Sequence, residues 1–216
     1  MDHDLLNYLQ SFLTENRLDK FKAVLEERTR HFTLAVEDVG HLHNTSAVIR
    51  SCEAFGVQDV HVIEELHGKR IDREIAMGAQ KWTDIHRYSS SSQAIASLKQ
   101  KGYRIVATTP HLKQNTLEKF DISQPAAIFF GSEAKGLSQQ VLDAADDYIY
   151  IPTSGFTQSL NISVSAAIIL QRLTHRIKEA QINWELTEEE RFDLELRWTK
   201  QNLNDVEKIV KRYKSN

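Results

Sequence analysis

Apolar residues recur at helical spacing through Leu5, Leu6, Leu9, Phe12 and Leu13, and again through Leu18, Phe21, Val24 and Leu25, which predicts helices over the first thirty residues. The polar stretch Thr14 to Arg17 separates the two runs and offers Thr14 or Asn16 as an N-cap. From Phe32 the texture changes to short, nearly continuous apolar runs alternating with helical patterns. Strands are predicted at Phe32–Val36, at the end of Val57–Ile63, at Tyr103–Thr108, at Ala126–Phe130 and at Tyr148–Ile151. Helices are predicted at Thr45–Phe55, at Ser92–Lys101 with Gly102 as the stop, and from Leu160 to about Ala180. Strands that are apolar throughout, rather than alternating, belong in a parallel sheet covered by helices on both faces. Further on, Thr187 with Glu190 forms a capping-box signature ahead of a helical segment carrying Phe192, Leu196, Leu203, Val206, Val210 and Tyr213, with a break near Asn202. The pattern therefore predicts an N-terminal helical extension (1–30), an α/β core (31–180) and a C-terminal helical extension (181–216).

Composition narrows the class without naming a function. With 216 residues, 41% hydrophobic and 26% charged, the chain reads as one globular domain with short appendages, not a disordered segment. No apolar run approaches the ~18 residues of a membrane-spanning helix. The acidic start, Met1-Asp2-His3-Asp4, is unlike a secretory signal, so a cytoplasmic location is expected. A single cysteine, Cys52, excludes an internal disulfide framework and a cysteine-cluster metal site. The net charge of −3 shows no basic footprint, although a local basic patch can coexist with an acidic total.

Three segments sit at strand-to-loop or loop-to-helix junctions, where open α/β sheets bind ligands. The first runs from Val39 to Arg50 and places Asn44 as a helix N-cap, with Arg50 six residues on. By spacing alone a cap plus a solvated arginine is the favoured reading over a functional pair, and His41 and His43 lack a third ligand for a metal. The second, Ile128 to Ser138, runs a buried strand into Gly131-Ser132-Glu133-Ala134-Lys135-Gly136, either a ligand-cradling loop or a tight turn. The third, Ile151 to Ala167, leaves the sheet at Pro152 and enters a helix through Ser159-Leu160-Asn161.

Taken together, N-x5-R (Asn44, Arg50), F-G-S-E-x-x-G-L-S (Phe130 to Ser138) and I-P…S-L-N-I-S-V-S-A-A (Ile151 to Ala167) resemble the three signature motifs of the SpoU/TrmH branch of the SPOUT RNA methyltransferases. The resemblance covers about Phe32 to Leu173. It implies a SPOUT-type parallel sheet with helices on both faces and a C-terminal deep trefoil knot, S-adenosylmethionine (AdoMet) as methyl donor, no metal requirement, and a homodimer with the site at its interface. Donor contacts in the family are largely backbone, which here implies Thr108, Gly131, Ile151 and Leu160. The short helical ends resemble the tRNA-acting TrmH group, implying 2′-O-methylation of guanosine 18 in the tRNA D-loop. A ribosomal-RNA substrate is the alternative, and a catalytically silent RNA-binding relative is a third reading.

The resemblance implies Arg50 as the group that holds the ribose or its phosphate and stabilises the developing alkoxide, with Asn44, Glu133, Ser159 and Asn161 shaping the site. RNA phosphates require cations, for which Arg17, Lys20, Arg28, Arg172 and Arg176 are candidates, with Lys81 beside Trp82; His43 is either an RNA contact or a loop contact. The sequence departs from the family in three places. The N-terminal cations are offset by Glu15, Asp19, Glu26 and Glu27, the loop before Ser159 reads Gly155-Phe156-Thr157-Gln158, and Arg172, His175 and Arg176 stand where an arginine pair is usual.

Overall fold

A computed structural model describes residues 1–39, 42–64, 78–110, 116–132 and 135–215, which divide into two compact units, Thr29–Trp184 and Met1–Arg28 with Glu185–Asn216. In the larger unit six parallel strands form one sheet: β1 (Phe32–Glu37), β2 (Asp59–Ile63), β3 (Asp84–Tyr88), β4 (Arg104–Thr108), β5 (Ala126–Phe130) and β6 (Asp147–Ile149), in the order β3-β2-β1-β5-β4-β6. Phe32 lies opposite Ala126 and Val36 opposite Phe130, so the two most apolar strands are neighbours at the centre.

Alternation along these strands feeds two cores, which is why they read as unbroken apolar runs. Leu34, Val36, Ile128 and Phe130 pack with Val48, Ile49 and Cys52 of α3 (Leu42–Ala54) and with Ile162, Ala166 and Leu170 of α6 (Ile162–Glu179). Ala35, Ile105, Ala127 and Phe129 point to the other side, toward Ala94, Ile95 and Leu98 of α4 (Ser91–Gln100) and Val141 of α5 (Gln139–Ala144). Both faces are thus covered, as the sequence predicts. Truncating fully buried Phe129 to alanine would cost about 3–5 kcal/mol.

Three details differ from the sequence expectation. The strand β3 was not predicted, because Asp84-Ile-His-Arg-Tyr88 is a polar, half-exposed edge without a continuous apolar run. Asn44 is not an N-cap, since α3 already begins at Leu42 and carries Asn44 within its first turn. Ser90 rather than Ser92 opens α4, its hydroxyl accepting from the Gln93 amide, and Gly102 follows the helix with a φ of +83° that a residue with a Cβ rarely adopts.

The smaller unit contains α1 (His3–Gln10), α2 (Glu15–Glu26), α7 (Glu188–Gln201) and α8 (Val206–Lys214). Thr14 caps α2, and the Thr187–Glu190 capping box opens α7. Leu5, Leu6, Leu9, Phe21 and Leu25 are buried, as are Phe192, Leu194 and Trp198, with the Phe21 and Trp198 rings edge to face at 5.8 Å. The sequence gives the two chain ends as separate extensions; here they share one core. No described helix is long and apolar enough to cross a membrane.

Candidate functional site

The carboxyl ends of β4, β5 and β6 open into a cavity of about 470 Å³. Thr108, Thr109 and Pro110 wall it from β4, Gly131 and Ser132 from β5, and Ile149 to Ile151 from β6. Gln158, Ser159 and Leu160, on the loop before α6, close another side. Its walls are therefore strand ends and loops, where backbone amides and carbonyls are not consumed by the sheet ladder.

The loop after β5 explains its own glycines. A Cβ on Gly131 would lie 2.1 Å from the Gly136 carbonyl carbon and 2.2 Å from the Leu137 nitrogen, so the chain crosses itself there only because residue 131 has none. Gly136 has a φ of +70°, and its amide donates to the Ser132 carbonyl at 2.8 Å, closing a tight turn. Turn and ligand wall are the same object. At the neighbouring strand end the Thr108 hydroxyl donates to the Phe129 carbonyl at 2.8 Å, and the Thr109 amide to the Ile149 carbonyl at 3.2 Å.

Thr108, Gly131, Ile151 and Leu160 all line this cavity, together with Ser159. Asn161 caps α6, its side-chain oxygen accepting from the Ser163 amide at 2.8 Å and hydroxyl at 2.6 Å, while its Nδ2 donates to Oδ1 of Asn44 at 3.2 Å. The first and third sequence motifs therefore meet through one amide pair. Glu133 lies outside the described residues. Arg50 is exposed on α3 and lines a different, apolar groove with Ala47, Phe55, Val164 and Ile168. Val164 and Ile168 of α6 are 46% and 37% exposed there, although the opposite side of the same helix is core.

Of the candidate RNA contacts, Arg17 and Lys20 are exposed on α2, and His43 is exposed on α3. Arg28 is corrected: its side chain is buried, 1% exposed, and its guanidinium lies 5.6 Å from the Trp198 ring centre, so it offers no surface to a phosphate. Arg176 donates to the Leu117 and Phe120 carbonyls at 2.6 and 2.8 Å, a clamp on the chain before β5 that occupies both terminal nitrogens. Arg172 is half-buried, 3.9 Å from a Glu118 carboxylate oxygen.

A second polar cluster lies at the β2–β3 edge of the sheet. Arg30 bridges Asp59 and Asp84, and His86 Nε2 lies 2.6 Å from the other Asp59 oxygen. His61 stacks on His86 with ring centres 4.7 Å apart and contacts the Tyr88 hydroxyl at 3.1 Å. Burial, reinforced by His86, pushes the His61 imidazole down to about 3. Burial pulls Asp59 upward, but hydrogen bonds and charge from His86 and Arg30 outweigh it and hold the carboxyl below its ordinary range. Among the described residues no group of three or more His, Cys, Asp or Glu side chains is arranged to hold a metal ion.

The family model of the SpoU rRNA methylases matches residues 31–171, spanning the sheet, the cavity and most of α6. The chain belongs to the SpoU rRNA methylase family. It is 39% identical to the tRNA (guanosine(18)-2′-O)-methyltransferase of Borreliella burgdorferi, over 99% of this chain and 96% of that protein. The crystal structure of the A. aeolicus TrmH/SpoU tRNA modifying enzyme superposes with a TM-score of 0.76 at 29% identity, covering 88% of this chain and 98% of that one. The fold also matches the SpoU methyltransferase AviRb from Streptomyces viridochromogenes, solved in complex with AdoMet (TM-score 0.62, 22% identity, 76% of this chain and 65% of that one).

Sequence reasoning missed Thr109, Pro110, Tyr150 and Gln158 as cavity residues. Each directly adjoins a strand end or a motif residue, so extending the strand-end rule by one or two positions finds them. It also missed Glu37, the acidic end of an otherwise uncharged strand, whose side chain is buried.

Proposed function

We propose that this chain is an AdoMet-dependent tRNA ribose 2′-O-methyltransferase that modifies guanosine 18 of the D-loop. The observation that carries the reading is the cavity, which gathers the strand-end and loop segments of two signature motifs in one place within a chain that is 39% identical to a guanosine-18 enzyme over almost its whole length. A volume of about 470 Å³ lies within the roughly 300–1,000 Å³ usual for small-molecule sites. Backbone at Thr108, Gly131, Ile151 and Leu160 would hold the adenosine and amino-acid ends of AdoMet, which supplies an electrophilic methyl group on a sulfonium when bound. We read the chain that follows β5 as threaded into the deep trefoil knot of SPOUT proteins, with the loop before α6 as part of it.

This chain's own residues have three tasks: orienting a ribose 2′-oxygen, stabilising it as it loses its proton, and keeping water away. Arg50 suits the second, because a guanidinium is a fixed cation with a planar array of donors for a phosphate or an alkoxide. It lines the α3–α6 groove rather than the cavity, so we assign that groove to a second copy of the chain. The homodimer would cover Val164 and Ile168 and bring Arg50 of one protomer to the cavity of the other. The Asn44–Asn161 pair would hold the Arg50 helix in register with the cavity loop. Ser159 would complete the wall, and Glu133, by its motif position, would help shape the site. Arg17, Lys20 and His43 offer exposed contacts to tRNA, and a cytoplasmic location follows from that substrate.

Purified protein incubated with labelled AdoMet and an unmodified tRNA transcript should place the label on the 2′-oxygen of guanosine 18, and Arg50→Ala should lower turnover by roughly 100- to 1,000-fold without loss of donor binding. Transfer to a ribosomal-RNA fragment and none to tRNA would overturn the substrate assignment.

A further inference from the structure

Glu37 is 4% exposed and ends β1, beside β5 and its loop. One carboxylate oxygen accepts from the Ser138 amide at 2.7 Å; the other accepts from the Ser138 hydroxyl at 2.6 Å and from the Ser91 hydroxyl. A buried carboxylate is tolerated only when its lone pairs are met, and here three donors meet them. Ser138 is the exit of the loop whose residues Gly131, Ser132, Lys135, Gly136 and Leu137 wall the cavity, and its hydroxyl also accepts from the Val141 amide as the N-cap of α5. Ser91 lies in the first turn of α4. A single side chain thus ties the end of β1 and the start of α4 to the point where the cavity loop becomes a helix.

We propose that Glu37 is a positioning residue for the donor cavity, holding the far end of the Gly131–Ser138 loop in place while the Ser132–Gly136 turn holds the near end. The inference rests on reading the cavity as the AdoMet site. Among the described residues the loop's inner hydrogen bonds are the Gly136 amide to the Ser132 carbonyl and the Lys135 amide to the Ser132 hydroxyl at 3.2 Å, while Leu137 packs against the Ala35, Phe129 and Val141 core. Neither hydrogen bond reaches the sheet, and the Leu137 contact is apolar and non-directional. Glu37 makes the directional tie without touching the cavity, since it is absent from the cavity's lining.

The test compares Glu37→Ala, Glu37→Gln and Ser138→Ala with the wild type, using AdoMet calorimetry and amide hydrogen exchange on the ligand-free full chain. Glu37→Ala strands buried donors and should weaken AdoMet about tenfold or more and speed exchange across residues 131–141. Glu37→Gln should recover most of the affinity, because both serine hydroxyls can rotate to accept from its amide. Ser138→Ala loses only the hydroxyl contacts and should fall between them, which keeps the claim testable if Glu37→Ala fails to fold. Asp59→Asn, a buried carboxylate change at the β2–β3 edge, serves as the control; its melting temperature should drop while AdoMet affinity holds. Unchanged AdoMet affinity in folded Glu37→Ala, or an equal loss in Asp59→Asn, would overturn the proposal. If the wild type itself fails to bind AdoMet, the reading of the cavity falls instead, and the exchange contrast alone then decides whether Glu37 braces the loop.

Discussion

The two polar regions of the sheet are built on opposite plans. At the β2–β3 edge, side chains satisfy one another: Arg30, Asp59, Asp84, His86, His61 and Tyr88 form a contiguous set in which the charged groups have opposite partners close by. At the carboxyl ends of β4, β5 and β6, the walls are loops and strand ends, and glycine stands where a side chain would collide with the chain itself. A network whose charges are already paired with one another has little to offer a ligand. A backbone-walled cavity does, and it can be shaped without a recognisable side-chain code. Charge density alone is therefore a poor guide to the working end of this molecule.

The contrast is broken most severely at Gly131. Gly131→Ala forces a Cβ against the backbone of Gly136 and Leu137, so AdoMet affinity should fall at least about tenfold, and stability by about 2 kcal/mol, read by calorimetry and denaturant titration. At the other edge the expected effect is on stability alone and depends on pH. The folded-state pKa of His61 lies near 3, below its ordinary 6.5, so the unfolded chain takes up the proton first. Its contribution is fully present above about pH 6.5 and is lost as pH falls toward 3; Asp59, also lowered, adds a loss below its own ordinary range. Between pH 7 and pH 5 the His61 contribution to that loss should be about 2 kcal/mol, and His61→Phe should flatten the stability profile across that window. The smallest effect belongs to Thr108→Val. It removes the hydroxyl bond to the Phe129 carbonyl but leaves the strand-end backbone, so stability should drop by about 1 kcal/mol and AdoMet affinity should change less than about threefold. A large affinity loss there would mean that side chains, not backbone, make the cavity.

This difference in plan also explains what could be read from the sequence. The strands at the centre of the sheet and their covering helices are legible because burial on both faces keeps runs such as Leu34-Ala-Val36, Ile105-Val-Ala107 and Ala126–Phe130 apolar. The strand β3 is not, because an edge needs no such run and Asp84, His86 and Arg87 serve the ion-pair network or solvent instead. Around the cavity, Gly131, Ile151 and Leu160 were legible through motif resemblance, whereas spacing alone left that loop and a plain turn equally open. The structure shows why: the glycines serve the turn and the cavity at once. Arg28 misled because a cation on a short helix reads as solvated, while its packing over Trp198 involves a residue 170 positions later in the chain. Glu37 escaped notice for the same reason, since its partners, Ser91 and Ser138, are far away in sequence.

The central claim is that the donor cavity and Arg50 belong to different protomers of one catalytic site. Mixing Gly131→Ala chains with Arg50→Ala chains under conditions that exchange subunits tests it directly, with methylation of guanosine 18 as the readout. With AdoMet held well below the wild-type Kd, the Gly131→Ala homodimer should keep about a tenth of wild-type activity or less and the Arg50→Ala homodimer about a hundredth or less. The mixture should recover up to about a quarter of wild-type activity, because half of the dimers are mixed and each of these has one intact cavity facing one intact arginine. A mixture no more active than its parents, with subunit exchange verified, would place Arg50 and the cavity on the same chain and contradict the account.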